Sequence, residues 1–103
     1  MDRPGVVYKI APRADWEAAC RVGVYRGSPD DLRDGFIHLS TEPQVAGTLQ
    51  RHFAGQRDLL RIGFAADTLG AALRFEPSRD GQLFPHLYGA LATGLAVELS
   101  ELP

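Results

Sequence analysis

The stretch from Gly35 to Gln44 constrains the fold more than any other part of the chain, because a strand pattern there becomes a helix start with no loop between them. Phe36-Ile37-His38-Leu39-Ser40 alternates, so in extended backbone Phe36, His38 and Ser40 share one face while Ile37 and Leu39 take the other. Thr41-Glu42-Pro43-Gln44 then offers a cap at Thr41, a capping-box partner at Gln44 and a proline in the first turn. The predicted helix reaches about Ala54 and stops at Gly55, with Val45, Thr48, Leu49, His52 and Phe53 toward the interior and Gln50 and Arg51 toward water. His52, at the border of that face, reads as a partly exposed surface residue.

A strand that ends in a helix start aims free backbone amides, with their partial positive charge, at the place where His38, Ser40 and Thr41 emerge. Such a place suits a phosphate, a carboxylate or a sugar diphosphate. Structure alone also accounts for these residues: Thr41 caps its helix, Ser40 satisfies a strand end and His38 donates to a neighbouring carbonyl. Capping explains the hydroxyls in full. For His38 the two explanations stand level.

Elsewhere the pattern gives short elements. Val6-Val7-Tyr8-Lys9-Ile10 is a strand ended near Pro12. Residues 14–22 form an amphipathic helix, charged or capped at its start by Asp15, with Trp16, Ala19 and Cys20 inward and Gly23 as its stop. From Gly23 to Gly35 the glycines, Pro29 and Asp30-Asp31 read as turns, with a brief strand near Tyr25-Arg26-Gly27-Ser28. Leu59 to Ala65 is a strand, Asp67 caps a single turn to Leu69, and Leu73-Arg74-Phe75-Glu76 is a further strand leading into a turn at residues 77–81. Phe84 to Gly89 and an alternating strand at Leu95 to Leu99 close the chain. Five or six short strands, crowded in the second half, with two main helices predict an α+β fold on a small mixed or antiparallel sheet.

The chain has 103 residues and no composition shift, which predicts one domain over residues 1–103. A formal charge of -2 supplies no basic face, so nonspecific nucleic-acid or lipid binding is not expected, while specific RNA contact stays open. All the basic residues but Lys9 are arginine. Met1-Asp2-Arg3-Pro4-Gly5 lacks the apolar run of a signal peptide, and nothing approaches the roughly 18 apolar residues of a membrane span. Cys20 is alone, which excludes an internal disulfide and a thiolate metal cage. The cytoplasm follows by elimination.

A second polar cluster lies in Phe84-Pro85-His86-Leu87-Tyr88-Gly89, where His86 and Tyr88 share a side if the backbone is extended. They would orient a hydroxyl-rich ligand, or cover the core with the phenol kept wet. Two histidines and Glu76 match the ligand count of a metal site, but without close ligand spacing, so no metal is expected. Ser40 with a histidine base lacks the strained Gly-x-Ser-x-Gly turn of a nucleophile elbow.

Taken in order, Tyr8-Lys9-Ile10, Trp16, Tyr25 with Gly27-Ser28, Asp34-Gly35-Phe36-Ile37-His38-Leu39-Ser40-Thr41 and Phe84-Pro85-His86-Leu87-Tyr88-Gly89 resemble the bacterial domain-of-unknown-function family 952 over nearly the whole chain. That family is similar at the level of fold to the ADP-ribosyltransferase superfamily, in its branch with two histidines that includes the RNA 2′-phosphotransferases. The resemblance implies an ADP-ribosyltransferase-like fold with NAD as cofactor. By it, His38 contacts the ribose with Ser40 and Thr41 beside it, and His86 is the second histidine. In a nucleotide-binding domain of this kind Ser40 and Thr41 would hold polar ligand groups, His86 with Tyr88 would line the opposite wall and Arg26 would pair with a diphosphate. The expected partner is a nucleotide-like small molecule, acted on by a transferase or glycohydrolase. The alternative is a noncatalytic module that binds a ligand or a macromolecular partner.

Overall fold

The computed structural model describes residues 5–78 and 81–103. Met1 to Pro4 of the segment read for a leader, and Arg79 and Asp80 of the turn expected at residues 77–81, lie outside them. Eight strands and four α-helices are found among the described residues, an α+β fold in which every strand pairing is antiparallel.

The first sheet places Leu59–Ala65 (β4) between Val6–Pro12 (β1) and Ala96–Glu101 (β8). A second places Leu83–Leu87 (β6) between Ile37–His38 (β3) and Leu73–Pro77 (β5). Val24–Tyr25 (β2) and Leu91–Ala92 (β7) form a two-stranded pair. The first two sheets are stitched together just beyond β3: the N–H of Tyr8 donates to the carbonyl of Ser40 at 2.8 Å and the N–H of Ser40 returns the bond at 2.9 Å. The alternation predicted for residues 36–40 holds, with Ile37 and Leu39 buried in the core.

Strand β1 alternates between two apolar layers. Val7 and Ala11 join the main core with Trp16, Ile62 and Phe64, while Tyr8 and Ile10 pack with Val45 and Leu59. Trp16, on the helix Arg13–Val22 (α1), meets Phe64 edge-on at 6.1 Å and Tyr25 at 6.2 Å, an anchor of the kind aromatic rings provide. The inward face of α1 is narrower than its pattern predicts: Trp16 and Ala19 are buried, but Cys20 is exposed, since the next residue along a helix turns about 100° away.

The predicted helix after Ser40 begins with a 3-10 turn, Glu42–Gln44, and continues as Val45–His52 (α3), two residues short of the expected Ala54. Ala66–Leu69 forms a single turn (α4) with Asp67 in its first turn rather than as its cap.

The larger departure is Pro29–Asp34 (α2), where turns were expected. Ser28 caps it: its hydroxyl accepts the Asp31 N–H at 3.2 Å, and the Asp31 carboxylate accepts the Ser28 N–H at 2.9 Å. Serine, proline and aspartate serve a turn and a helix start alike, and here the reciprocal cap selects the helix. No helix among the described residues is long and apolar enough to cross a membrane.

Gly63 is required by close approach. It stands opposite Tyr8 and Glu98, and the Tyr8 hydroxyl donates to Glu98 at 3.1 Å, so the ring lies across the glycine. A Cβ at Gly63 would meet the Tyr8 ring and the Glu98 Cβ at 3.0 Å each. Gly63→Ala is expected to lower the unfolding free energy by about 1–3 kcal/mol, the range for overpacking. An unchanged urea midpoint would show that the ring yields without cost.

Candidate functional site

Lys9 is the starting point. It lies on the inward side of β1 between Val7 and Ala11 and is only 5% exposed. A charge there has to be paired, because burial strongly disfavours an isolated ion. Its ammonium donates to Asp31 Oδ2 at 2.8 Å and to the His38 carbonyl at 3.1 Å. Asp31, 3% exposed, also accepts the backbone N–H groups of Ser28 and His38, at 2.9 and 3.1 Å, and its Oδ1 stands 2.6 Å from Nδ1 of His38. One carboxylate therefore ties β1, α2 and β3 together. Burial pushes the Asp31 carboxyl up, but the bond from His38 together with the charge and bond of Lys9 outweighs it and holds the group well below the usual carboxylate range.

Gly27 makes room for this hub. Its φ is +120°, and a Cβ on it would stand 2.7 Å from that of Asp31. Any side chain there meets both backbone strain and a clash.

His38 is gripped on both sides, since its Nε2 lies 3.0 Å from Asp34, one turn along α2 from Asp31. Directly across the ladder stands His86, register partner of His38, with the ring centroids 5.8 Å apart. His86 is 6% exposed; its Nδ1 lies 2.7 Å from Glu76 Oε1, which also accepts the Tyr88 hydroxyl at 2.7 Å. Those two bonds, the one with His86 first, lower the Glu76 carboxyl below its ordinary value. Phe36 stacks on His86 at 4.0 Å and contacts His38 at 4.6 Å, so both imidazoles are fixed from the same side.

Both histidines line a cavity of about 280 Å³. Ser40 lies in its wall too, its hydroxyl 2.8 Å from that of Thr48 on α3. The other charged groups in its wall are Asp30, Asp31 and Asp34 on the acidic side and Lys9 and Arg33 on the basic side, with Tyr8, Ile10, Phe53 and Phe84 among the apolar residues.

Of the residues predicted from sequence, His38, His86 and Ser40 thus converge on one hollow. Thr41, Tyr88 and Arg26 are outside its wall. The Thr41 N–H is taken by the Gln44 side chain at 3.0 Å. Tyr88 is 40% exposed, and Arg74 covers its ring at 4.8 Å. Arg26 is exposed.

Sequence reading missed Lys9 and Asp31. The signal for Lys9 was present, a lone lysine at an inward position of an apolar strand. For Asp31 there was none, since it stands in a run that reads as a solvated turn.

Asp31→Ala is expected to destabilise the fold by about 3–5 kcal/mol, as when one partner of a buried pair is removed. Lys9→Met should cost less, because Asp31 keeps its backbone donors and His38; the reverse order in urea unfolding would deny Asp31 its central place. The depressed carboxyl binds its proton more weakly in the folded chain than in the unfolded one. Its stabilisation is complete above the unfolded value near ~4 and declines as pH falls below that. Unfolding free energy should therefore drop from about pH 5 toward pH 2, and Asp31→Asn should flatten that limb.

Over residues 10–99 the chain matches the family described as protein of unknown function, DUF952. The crystal structure of protein CC0527 from Caulobacter crescentus is 42% identical and superposes with a TM-score of 0.92, the match covering 95% of this chain and 86% of that one. A double mutant of that protein gives 41% identity and the same TM-score; its solution NMR structure gives 42% identity and 0.85, covering 95% and 84%. No curated protein matches the chain. The family match spans the strands that carry both histidines and the helix that carries Asp31, and the chain belongs to the DUF952 family.

Proposed function

We propose that the cavity binds NAD or a related nucleotide and that the domain acts on it as an ADP-ribosyltransferase-like transferase or glycohydrolase. The observation that carries this is the pair of imidazoles, 5.8 Å apart and each held at Nδ1 by a carboxylate, in the wall of one hollow. Concave sites with a few convergent polar groups are where ligands bind, and oriented imidazoles are the usual agents of proton transfer near neutrality. At about 280 Å³ the space is at the small end of ligand pockets, which run roughly 300–1,000 Å³, and suits one nucleoside rather than a whole dinucleotide.

In such a reaction the bond between ribose C1′ and nicotinamide breaks, its electron pair leaves with the nicotinamide, and positive charge spreads over C1′ and the ring oxygen. An acceptor oxygen, from water or a second substrate, bonds to C1′ and gives up its proton. His86 is the base: Glu76 holds its Nδ1, which directs Nε2 to the incoming proton. Three carboxylates in the wall, Asp30, Asp31 and Asp34, outnumber its two cations, Lys9 and Arg33, and that excess of negative charge favours the cationic transition state. His38 orients the ribose, its Nε2 exchanging the half-exposed Asp34 for a sugar hydroxyl.

A noncatalytic binding module is the second reading, and two observations favour it. Both ring nitrogens of His38 are already engaged by carboxylates. Leu39, buried in the core, stands where enzymes of the ADP-ribosyltransferase superfamily place a glycine after the first histidine.

Thermal-shift measurements with NAD, ADP-ribose and mononucleotides separate these outcomes. Saturating ligand should raise stability by about 2.7 kcal/mol at one hundred times its Kd. His38→Ala should abolish the shift. His86→Ala should preserve it while slowing nicotinamide release by roughly a hundredfold or more. A shift with no release against any acceptor leaves the binding module, and no shift with any nucleotide removes the nucleotide reading in both its forms.

A further inference from the structure

Beside the first cavity lies a second, of about 170 Å³, lined by Gln44, Gly47, Arg51, Gln82 and Pro43. The two hollows share Thr48 and Phe84 in their walls, so they adjoin along one edge of α3. Gln44, Thr48 and Arg51 follow at helical spacing of four and three, which sets them on one face. That face looks toward the start of β6, where the Gln44 side-chain amide donates to the Leu83 carbonyl at 2.9 Å and contacts Gln82 at 3.3 Å.

Gly47 needs an explanation that the fold does not supply. It sits inside α3, where glycine costs roughly 0.5–1 kcal/mol relative to alanine. Its φ is not positive, and a Cβ on it would have nothing within 4 Å. Neither turn geometry nor close packing calls for it. What its bare Cα does is leave the second hollow open beside the Arg51 guanidinium, a group whose planar fork matches a phosphate.

We propose that the two hollows are one bipartite site, in which the second takes the phosphate-bearing part of a nucleotide whose ribose end occupies the first. This rests on the nucleotide reading above and extends it: the ligand class becomes a nucleoside diphosphate or its conjugate, and Arg51 is the anion contact. The limited volume of the first hollow, the shared Thr48 and Phe84, and the open wall at Gly47 agree on a ligand longer than one nucleoside.

Gly47→Leu tests this, because the side chain projects into open space and improves the helix, so the variant should melt no lower than wild type. Binding would be followed by NMR titration of the wild type, Gly47→Leu and Arg51→Gln with NAD, nicotinamide riboside and inorganic pyrophosphate. Gly47→Leu is expected to weaken NAD and pyrophosphate at least tenfold and leave the riboside unchanged. Arg51→Gln should weaken the two phosphate-bearing probes by a similar factor and flatten their salt dependence. Equal NAD affinity in wild type and Gly47→Leu overturns the bipartite site while the nucleotide reading stands. Pyrophosphate bound by wild type and lost in both variants, with no NAD binding, overturns the nucleotide reading and keeps the anion subsite. Absence of both interactions ends both.

Discussion

The ion pair between Lys9 and Asp31 is the constraint on which the rest of this structure depends. Two charges buried at 5% and 3% exposure are tolerated because they are paired and well bonded: Asp31 takes Lys9, two backbone N–H groups and an imidazole, and Lys9 also reaches the His38 carbonyl. A pair of this kind adds little net stability compared with an apolar replacement, but it admits very few alternative geometries. It docks α2 against β1 and sets the backbone of His38 at the same time. The site is thus positioned by the folding solution for one inward lysine.

From that anchor the two halves of the molecule meet through a short piece of backbone. The exchange of hydrogen bonds between Tyr8 and Ser40 joins the sheets, and the antiparallel register of β3 and β6 makes the two histidines neighbours. Residues 48 positions apart in the chain thereby share a face, with Phe36 stacked behind them. Each imidazole then has its own carboxylate, from a different element: Asp31 from α2, Glu76 from β5. The orientations are independent: His38 is locked at both nitrogens, whereas His86 is held at Nδ1 by Glu76.

Helix α3 has a double role. Val45 and Leu49 bury one side against Tyr8 and Ile10, while Thr48 sits between the two hollows. The same helix therefore holds the second apolar layer together and forms a wall of the site, so the packing of β1 and the shape of the cavity are linked.

The amino-acid sequence by itself determined the element types wherever hydrophobic period and capping chemistry agreed: β1, α1, the strand into helix at Phe36 to Gln44, β4 and β8. It also marked His38 and His86, since imidazoles in apolar alternation stand out. It did not distinguish helix from turn at residues 29–34, because serine, proline and aspartate begin both, and there a reciprocal cap and the demand of a buried ammonium decided. Tertiary structure alone chose which carboxylates serve the histidines and which of the nearby polar residues enter the cavity wall. The physical reason is that local pattern records which face of an element is apolar, whereas the partner of a buried charge and the register between distant strands are set only when the layers close on one another.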